Sequence, residues 1–222
     1  MASYGVDIVL CIDITSSMSS MIEEVKTLAL SFGDDVRAAA AEVGKDVTKL
    51  RVRVLGFRDF SADEVHSIVA SEFFTLPDER DLFEEFVSNL DAVGGGGGPE
   101  SGLEALALAI RSMWATSETF SRQVVVIWTD AAAHPLDKDA GSKPSCYLWS
   151  MPRDFDELTD WWEGDAFMDY RAKRLILFAP DAAGWSEIGS NWDSAVHLAS
   201  TGGAGLSEHE YSVILRSIVF AV

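Results

Sequence analysis

Four short blocks of β-branched and aliphatic residues decide most of what this chain can become: Val6–Ile12 (VDIVLCI), Leu50–Phe57 (LRVRVLGF), Val124–Trp128 (VVVIW) and Leu175–Ala179 (LILFA). Their length and Val/Ile content read as strands, and three of the four are nearly continuous in apolar residues rather than alternating. A strand that is apolar on both faces belongs to a sheet covered on both sides. Between the blocks the periodicity turns helical. Met21–Val43 carries Ile22, Val25, Leu28, Ala29 and Phe32 on one face, with Gly33 as its weak point. Asp78–Leu90 and Ser101–Met113 follow, the second with Leu103, Leu106, Ala107 and Ile110 on one stripe, and Glu187–Ala199 and Glu208–Ile218 close the chain. Strands alternating with helices imply right-handed βαβ crossovers, hence an α/β fold with a doubly wound, mostly parallel sheet and helices on both faces. Val65–Thr75 (VHSIVASEFFT) adds an antiparallel edge strand beside Leu50–Phe57. Ala131–Lys173 shows no clear strand and reads as an elaborated loop followed by a helix over Phe155–Arg171. No repeat or Pro/Ser linker divides the chain, so residues 1–222 are expected to form a single domain.

Charge narrows the partners. The chain holds 36 acidic and 17 basic residues, net −19, which leaves no basic stripe for a nucleic-acid backbone or an anionic membrane surface. No stretch approaches the roughly 18 to 20 apolar residues of a membrane span. The first residues show no basic region and no small-residue cleavage site after an apolar one, so a secretory leader is not expected. Cys11 and Cys146 lie far apart without metal spacing, and Cys11 sits in an apolar block as a small buried thiol. These features lead to the expectation of a reducing, cytoplasmic setting.

In an open parallel sheet, ligands collect outside the carboxyl ends of the strands. The first block is followed by Asp13-Ile14-Thr15-Ser16-Ser17-Met18, and the Val124 block by Thr129-Asp130-Ala131-Ala132-Ala133-His134. Five glycines, Gly94–Gly98, lead into Pro99-Glu100-Ser101 at the start of the Leu103 helix. Three carboxylates (Asp13, Glu100, Asp130) and two hydroxyls (Thr15, Ser17) are thereby expected at one rim. Oxygen ligands without thiolates or paired imidazoles select a hard cation, Mg²⁺, Mn²⁺ or Ca²⁺. No lysine or arginine stands in these loops to neutralise them, so a metal is the simplest offset to their repulsion.

These residues resemble the von Willebrand factor A family and its metal-ion-dependent adhesion site. The first loop matches the family's DxSxS-Met pattern as Asp13-x-Thr15-x-Ser17-Met18, with threonine in the middle position. Trp128-Thr129-Asp130-Ala131 matches the family's third loop, a strand ending in TDA. The second loop departs from the common GGT element: Pro99-Glu100-Ser101-Gly102-Leu103-Glu104-Ala105-Leu106 is similar to the integrin beta-subunit version, in which a glutamate is the metal ligand. The spacing to His134 and the late Gly202-Gly203 fit as well. The resemblance implies a Rossmann-like fold, one Mg²⁺ (or Mn²⁺ or Ca²⁺), and Thr15, Ser17 and Glu100 as direct ligands. Asp13 and Asp130 would act through water around the metal. It implies a non-enzymatic protein-interaction module whose partner completes the coordination with an Asp or Glu carboxylate. Stand-alone members of this kind resemble components of bacterial multi-protein systems built on AAA+ ATPases or on signalling and stress modules. Ser20 and Met21 stand where integrin beta subunits carry a second, adjacent acidic site, and Gly97 replaces the Asp of a third, so neither extra site is expected.

Other readings of the same residues stand beside this one. Asp13, Thr15 and Ser17 also suit a helix N-cap, and Glu100 a helix first turn. The glycine run lacks the GK[ST] that a nucleotide phosphate would call for. Arg58-Asp59 forms either a rim ion pair or an orienting support for the metal loops. Trp149, Trp161, Trp162 and Trp185 form either local core or a recognition patch. The enzymatic alternative is a Mg²⁺-dependent phosphohydrolase similar to the haloacid dehalogenases, with Asp13 as nucleophile and Gly164-Asp165-x-x-x-Asp169 as a later acidic motif. Thr15 then occupies the place of the usual general acid.

Overall fold

The computed structural model describes residues 3–23, 31–115, 121–138, 143, 145–147 and 150–200. Seven strands form one sheet: β1 (Ser3–Asp13), β2 (Asp46–Phe57), β3 (Ile68–Ala70), β4 (Phe74–Leu76), β5 (Ser121–Trp128), β6 (Lys173–Pro180) and β7 (Ala195–Ser200). The order is β3-β2-β1-β5-β6-β7, with β4 also on β2. Strands β2, β1, β5, β6 and β7 run parallel, whereas β3 and β4 pair antiparallel with β2. The fold is therefore the doubly wound α/β arrangement expected from the alternating blocks. The edge differs in detail. Val65–Thr75 is two three-residue strands rather than one, because Ser71 turns its hydroxyl onto the Val54 amide and breaks the ladder between them.

Helices that pack around the sheet include α1 (Phe32–Glu42), α2 (Arg80–Ser88), α3 (Gly102–Ile110), α4 (Phe155–Glu163) and α5 (Trp185–Asn191). The pleat sorts β1 between two cores. Val6, Ile8, Leu10 and Ile12 face α1 and α2, while Val9 and Cys11 face α3, α4 and α5. Both faces are dry, which is the physical reason the strand reads as a nearly continuous apolar run. Asp7, the one charge inside it, is buried against the Arg51 guanidinium and accepts the Ala115 amide. Gly33 does not interrupt a helix; it lies in the first turn of α1 against Leu76. The Val25–Leu28 part of that pattern, the Glu208–Ile218 helix, Gly202-Gly203 and Trp149 lie outside the described residues.

Two helix expectations are corrected. Phe155–Arg171 is helical only to Glu163, where Gly164 leaves the helix in an extended conformation. Glu187–Ala199 is not one helix: α5 ends at Asn191, Ser194 takes a positive φ of 62°, and β7 begins at Ala195. Neither Gly nor Pro marks that turn, so the chain carries no breaker there.

The direction of winding reverses at the β1/β5 boundary. From β1 the sheet grows one way through β2, and from β5 the other way through β6 and β7. The carboxyl ends of β1 and β5 thus flank a topological switch point, where a crevice opens in folds of this class.

Candidate metal centre

Asp13 is the last residue of β1 and is fully buried. Its Oδ1 accepts the Thr15 amide at 2.9 Å and the Thr15 hydroxyl at 2.7 Å, and its Oδ2 accepts the Thr129 hydroxyl at 2.7 Å. Burial pushes its carboxyl up to about 6; the bonds from Thr15 and Thr129 oppose that shift, and the charge of Asp130 adds to it. Thr129 comes from the end of β5, so this bond ties the first loop to the third across the switch point.

The two hydroxyls of the first loop are arranged in series. Thr15 Oγ1 lies 3.2 Å from Ser17 Oγ, and Ser17 Oγ donates to Asp130 Oδ1 at 3.1 Å. Each hydroxyl has thus spent its proton on a carboxylate, Thr15 on Asp13 and Ser17 on Asp130. What remains on both oxygens is lone pairs. Asp13 has its oxygens committed to donors, which suits a supporting role better than direct ligation.

Glu100 enters from the second loop. Its amide donates to Ala132 O at 2.8 Å, and its carbonyl accepts the His134 amide at 2.9 Å, a short parallel bridge that sews the second loop to the third. The side chain is 4% exposed, and Oε2 has no hydrogen-bond partner among the described residues. Burial, then the charges of Asp13, Asp59, Asp63 and Asp130, push this carboxyl up to about 8. His134 stands 3.5 Å from Asp59 Oδ1 at the rim.

The glycine run makes this approach possible. Gly95 has φ +90°, and a Cβ there would lie 2.9 Å from both Glu100 Oε1 and Thr15 Cγ2. At Gly94 (φ +78°) a Cβ would collide with the Asp63 carboxylate, which accepts the Gly95 amide at 3.0 Å. Bare backbone at these two positions lets carboxylates of two segments pack against the loop. Gly95→Ala is therefore expected to cost about 1–3 kcal/mol in thermal unfolding, whereas Gly98→Ala, with open space around it, is tolerated. Equal effects at the two positions would show that the Glu100 packing does not matter.

Together these groups line a cleft of ≈ 450 Å³, with Thr15, Ser17, the glycine run, Glu100 and Asp130 in its wall and no basic side chain. All five expected site residues are thus brought to one place. Among the described residues no three His, Cys, Asp or Glu side chains form a metal cage by themselves; the convergence depends on hydroxyls as well as carboxylates. The donor set fits a hard divalent cation: two hydroxyl oxygens with free lone pairs, a buried carboxylate oxygen without a donor, and a second carboxylate alongside. Thr15, Ser17 and Glu100 would hold it, with Asp13 and Asp130 behind them.

Sequence reasoning did not single out Thr129, Asp63 or Trp185 as parts of this site. Thr129 was visible inside the TDA motif. Asp63 and Trp185 carry no local signal, since their partners are distant in the chain. Trp185, at the start of α5, is fully buried and donates its indole N–H to Ala131 O at 3.1 Å. It shares one core with Trp162, which stacks on Trp192 at 5.4 Å, and with Trp161, which packs edge-on against Phe167.

Fold and cleft together define a class: an open, doubly wound α/β domain with an oxygen-lined crevice at its switch point. No protein-family model matches the chain, and no curated protein sequence does. Among solved structures, the chain is similar to the pilus adhesin SpaC from Lactobacillus rhamnosus GG, with a TM-score of 0.55, 12% identity and coverage of 97% of this chain. A structure of SpaC in an open conformation gives a TM-score of 0.53 at 11% identity. The chain spans 30% of the length of that adhesin. At this identity the likeness shows the fold. Among the described residues no helix is long and apolar enough to cross a membrane.

Proposed function

We propose that this chain is a von Willebrand factor A-like domain that binds one divalent cation, Mg²⁺ (or Mn²⁺ or Ca²⁺), and uses it to recognise an acidic residue of a protein partner. The observation that carries the reading is the buried Glu100 Oε2, without a hydrogen-bond donor among the described residues, in the cleft wall that Thr15, Ser17 and Asp130 complete. A bound cation supplies the positive charge that this group of carboxylates lacks. Glu100 is the one charged residue in the proposed direct ligand set, so an anionic ligand from outside remains favourable. With a net charge of −19, the chain favours a partner that presents its acidic residue within a neutral or basic surface. The activity proposed is binding rather than catalysis, and the setting a cytoplasmic multi-protein system, such as one built on an AAA+ ATPase. That SpaC is an adhesin agrees with a binding role, by analogy of fold alone.

The phosphohydrolase alternative has less support. Asp13 ends β1, whereas Asp165 and Asp169 precede Lys173, the first residue of β6. Because β1, β5 and β6 are parallel and in register, the two acidic motifs lie at opposite ends of the sheet, roughly 20 Å apart along the strands at 3.3 Å per residue. Asp169 there builds a turn, accepting the Arg171 amide and donating its own amide to Gln123.

Two measurements test the proposal. Mn²⁺ titration followed by electron paramagnetic resonance is expected to show one bound equivalent in the native protein and none at the same concentration in Ser17→Ala. Hydrolysis of p-nitrophenyl phosphate with Mg²⁺ is expected to stay at background. Equal Mn²⁺ binding by both proteins overturns the site, and turnover lost in Asp13→Asn establishes the enzyme instead.

A further inference from the structure

The loops that build the cleft meet at a side chain that does not line it. Arg58 follows β2 directly, is 6% exposed, and has no carboxylate in ion-pairing contact among the described residues. Of the two readings open for it, the rim ion pair is thus not the one realised. Its guanidinium donates instead to three main-chain carbonyls: Nε to Ile14 O at 3.2 Å, Nη1 to His66 O at 2.6 Å and Nη2 to Asp91 O at 2.7 Å. Its backbone extends the same junction. The Arg58 amide donates to Ser67 O at 2.8 Å, and its carbonyl accepts the Ser101 amide at 3.2 Å.

Three of these five partners stand in or beside the site loops, and His66 and Ser67 belong to the turn before β3. Ile14 stands between Asp13 and Thr15, Ser101 follows Glu100, and Asp91 begins the approach to Gly94. Burying a guanidinium without a counter-charge is costly unless its donors are all satisfied. Here each of the three guanidinium nitrogens donates to a main-chain carbonyl, so what the buried cation fixes is the path of the chain. A planar fork with donors in several directions can hold three carbonyls at once; the ammonium of lysine, a point charge on a flexible stem, cannot reproduce that spread.

We infer that Arg58 is a positioning residue: its guanidinium clamps the Asp13–Ser17 loop to the segment that leads into the glycine run, and through that relation sets the affinity of the cation site. The second half rests on the function proposed above; the first half does not. Two cross-loop bonds report the clamp without any metal, Val93 N–H to Ile14 O at 3.0 Å and Ser16 N–H to Gly94 O at 3.2 Å.

The test uses Arg58→Lys, with Arg58→Gln as a second variant, in the full chain. Amide hydrogen exchange of the metal-free protein is expected to quicken at least about tenfold at Ser16 and Val93, with the β1 and β5 amides unchanged. Mn²⁺ affinity is expected to fall by a similar factor. Unchanged exchange at Ser16 and Val93 overturns the inference, and so does quickened exchange with unchanged Mn²⁺ affinity. Global unfolding of both variants also overturns it, since Arg58 would then be a general stability residue. Native protein that binds no Mn²⁺ sinks the cation reading instead, and the exchange result alone then decides the role of Arg58.

Discussion

Glu100→Gln is expected to stabilise the metal-free protein at pH 8 and to remove most of its response to Mg²⁺. The Glu100 carboxyl is pushed up to about 8 by burial and by four neighbouring carboxylates, well above its value in an unfolded chain. The folded state therefore binds more protons than the unfolded one between the two values. Stability from this group is fully present below the unfolded pKa and is lost as pH rises through about 8. Glutamine carries no charge and escapes that loss, so the gain over native protein grows from pH 5 to pH 8. Asp13, pushed up to about 6, adds a slope of its own at lower pH. For native protein at pH 8, Mg²⁺ at 100 times its dissociation constant adds about 2.7 kcal/mol, or roughly 5–10 °C in Tm for a chain of this size. Thermal unfolding with and without Mg²⁺ at the two pH values measures both effects. A variant less stable than native at pH 8 without metal would refute the electrostatic account of the site, and an undiminished Mg²⁺ shift would remove Glu100 from the ligands.

Trp185→Ala is expected to have the largest effect on stability, about 3–5 kcal/mol. The indole is fully buried, lies on the bare backbone of Gly102, where a Cβ would sit 2.5 Å from Cζ2, and holds Ala131 O through its N–H. It thus supports the start of α3, just after Glu100, and the third loop, just after Asp130, from beneath. Trp185→Phe fills most of the volume but leaves the carbonyl without its donor, at a cost on the order of 1 kcal/mol. Chemical denaturation of the three proteins separates packing from the hydrogen bond. A loss below about 1 kcal/mol in the alanine variant would mean that the loop floor is supported elsewhere.

The layout of strands was legible because burial on both faces leaves a local mark: four apolar blocks became β1, β2, β5 and β6. The β7 edge strand was not, since Val196 is exposed and the preceding turn depends on Ser194 in a left-handed conformation rather than on glycine. The truncated α4 shows the same limit: apolar spacing carried past Gly164, but Lys173 is drawn into the sheet and the intervening residues make turns.

The sequence by itself determined the chemistry on offer: hard oxygen donors at the ends of two strands and before one helix, in a chain with too few cations to neutralise them. Only the tertiary structure decided how they are used. Thr129 reaches Asp13 across the switch point, Ser17 spends its proton on Asp130, and Glu100 Oε2 is left without a donor. Arg58, which as a sequence neighbour of Asp59 suggested an ion pair, proves to be a clamp on three carbonyls. The physical reason is separation along the chain. Residue type and local period fix which groups exist and on which element they ride. Hydrogen bonds between positions more than 40 residues apart, set by strand register and loop packing, fix which atoms are satisfied and which remain for a ligand.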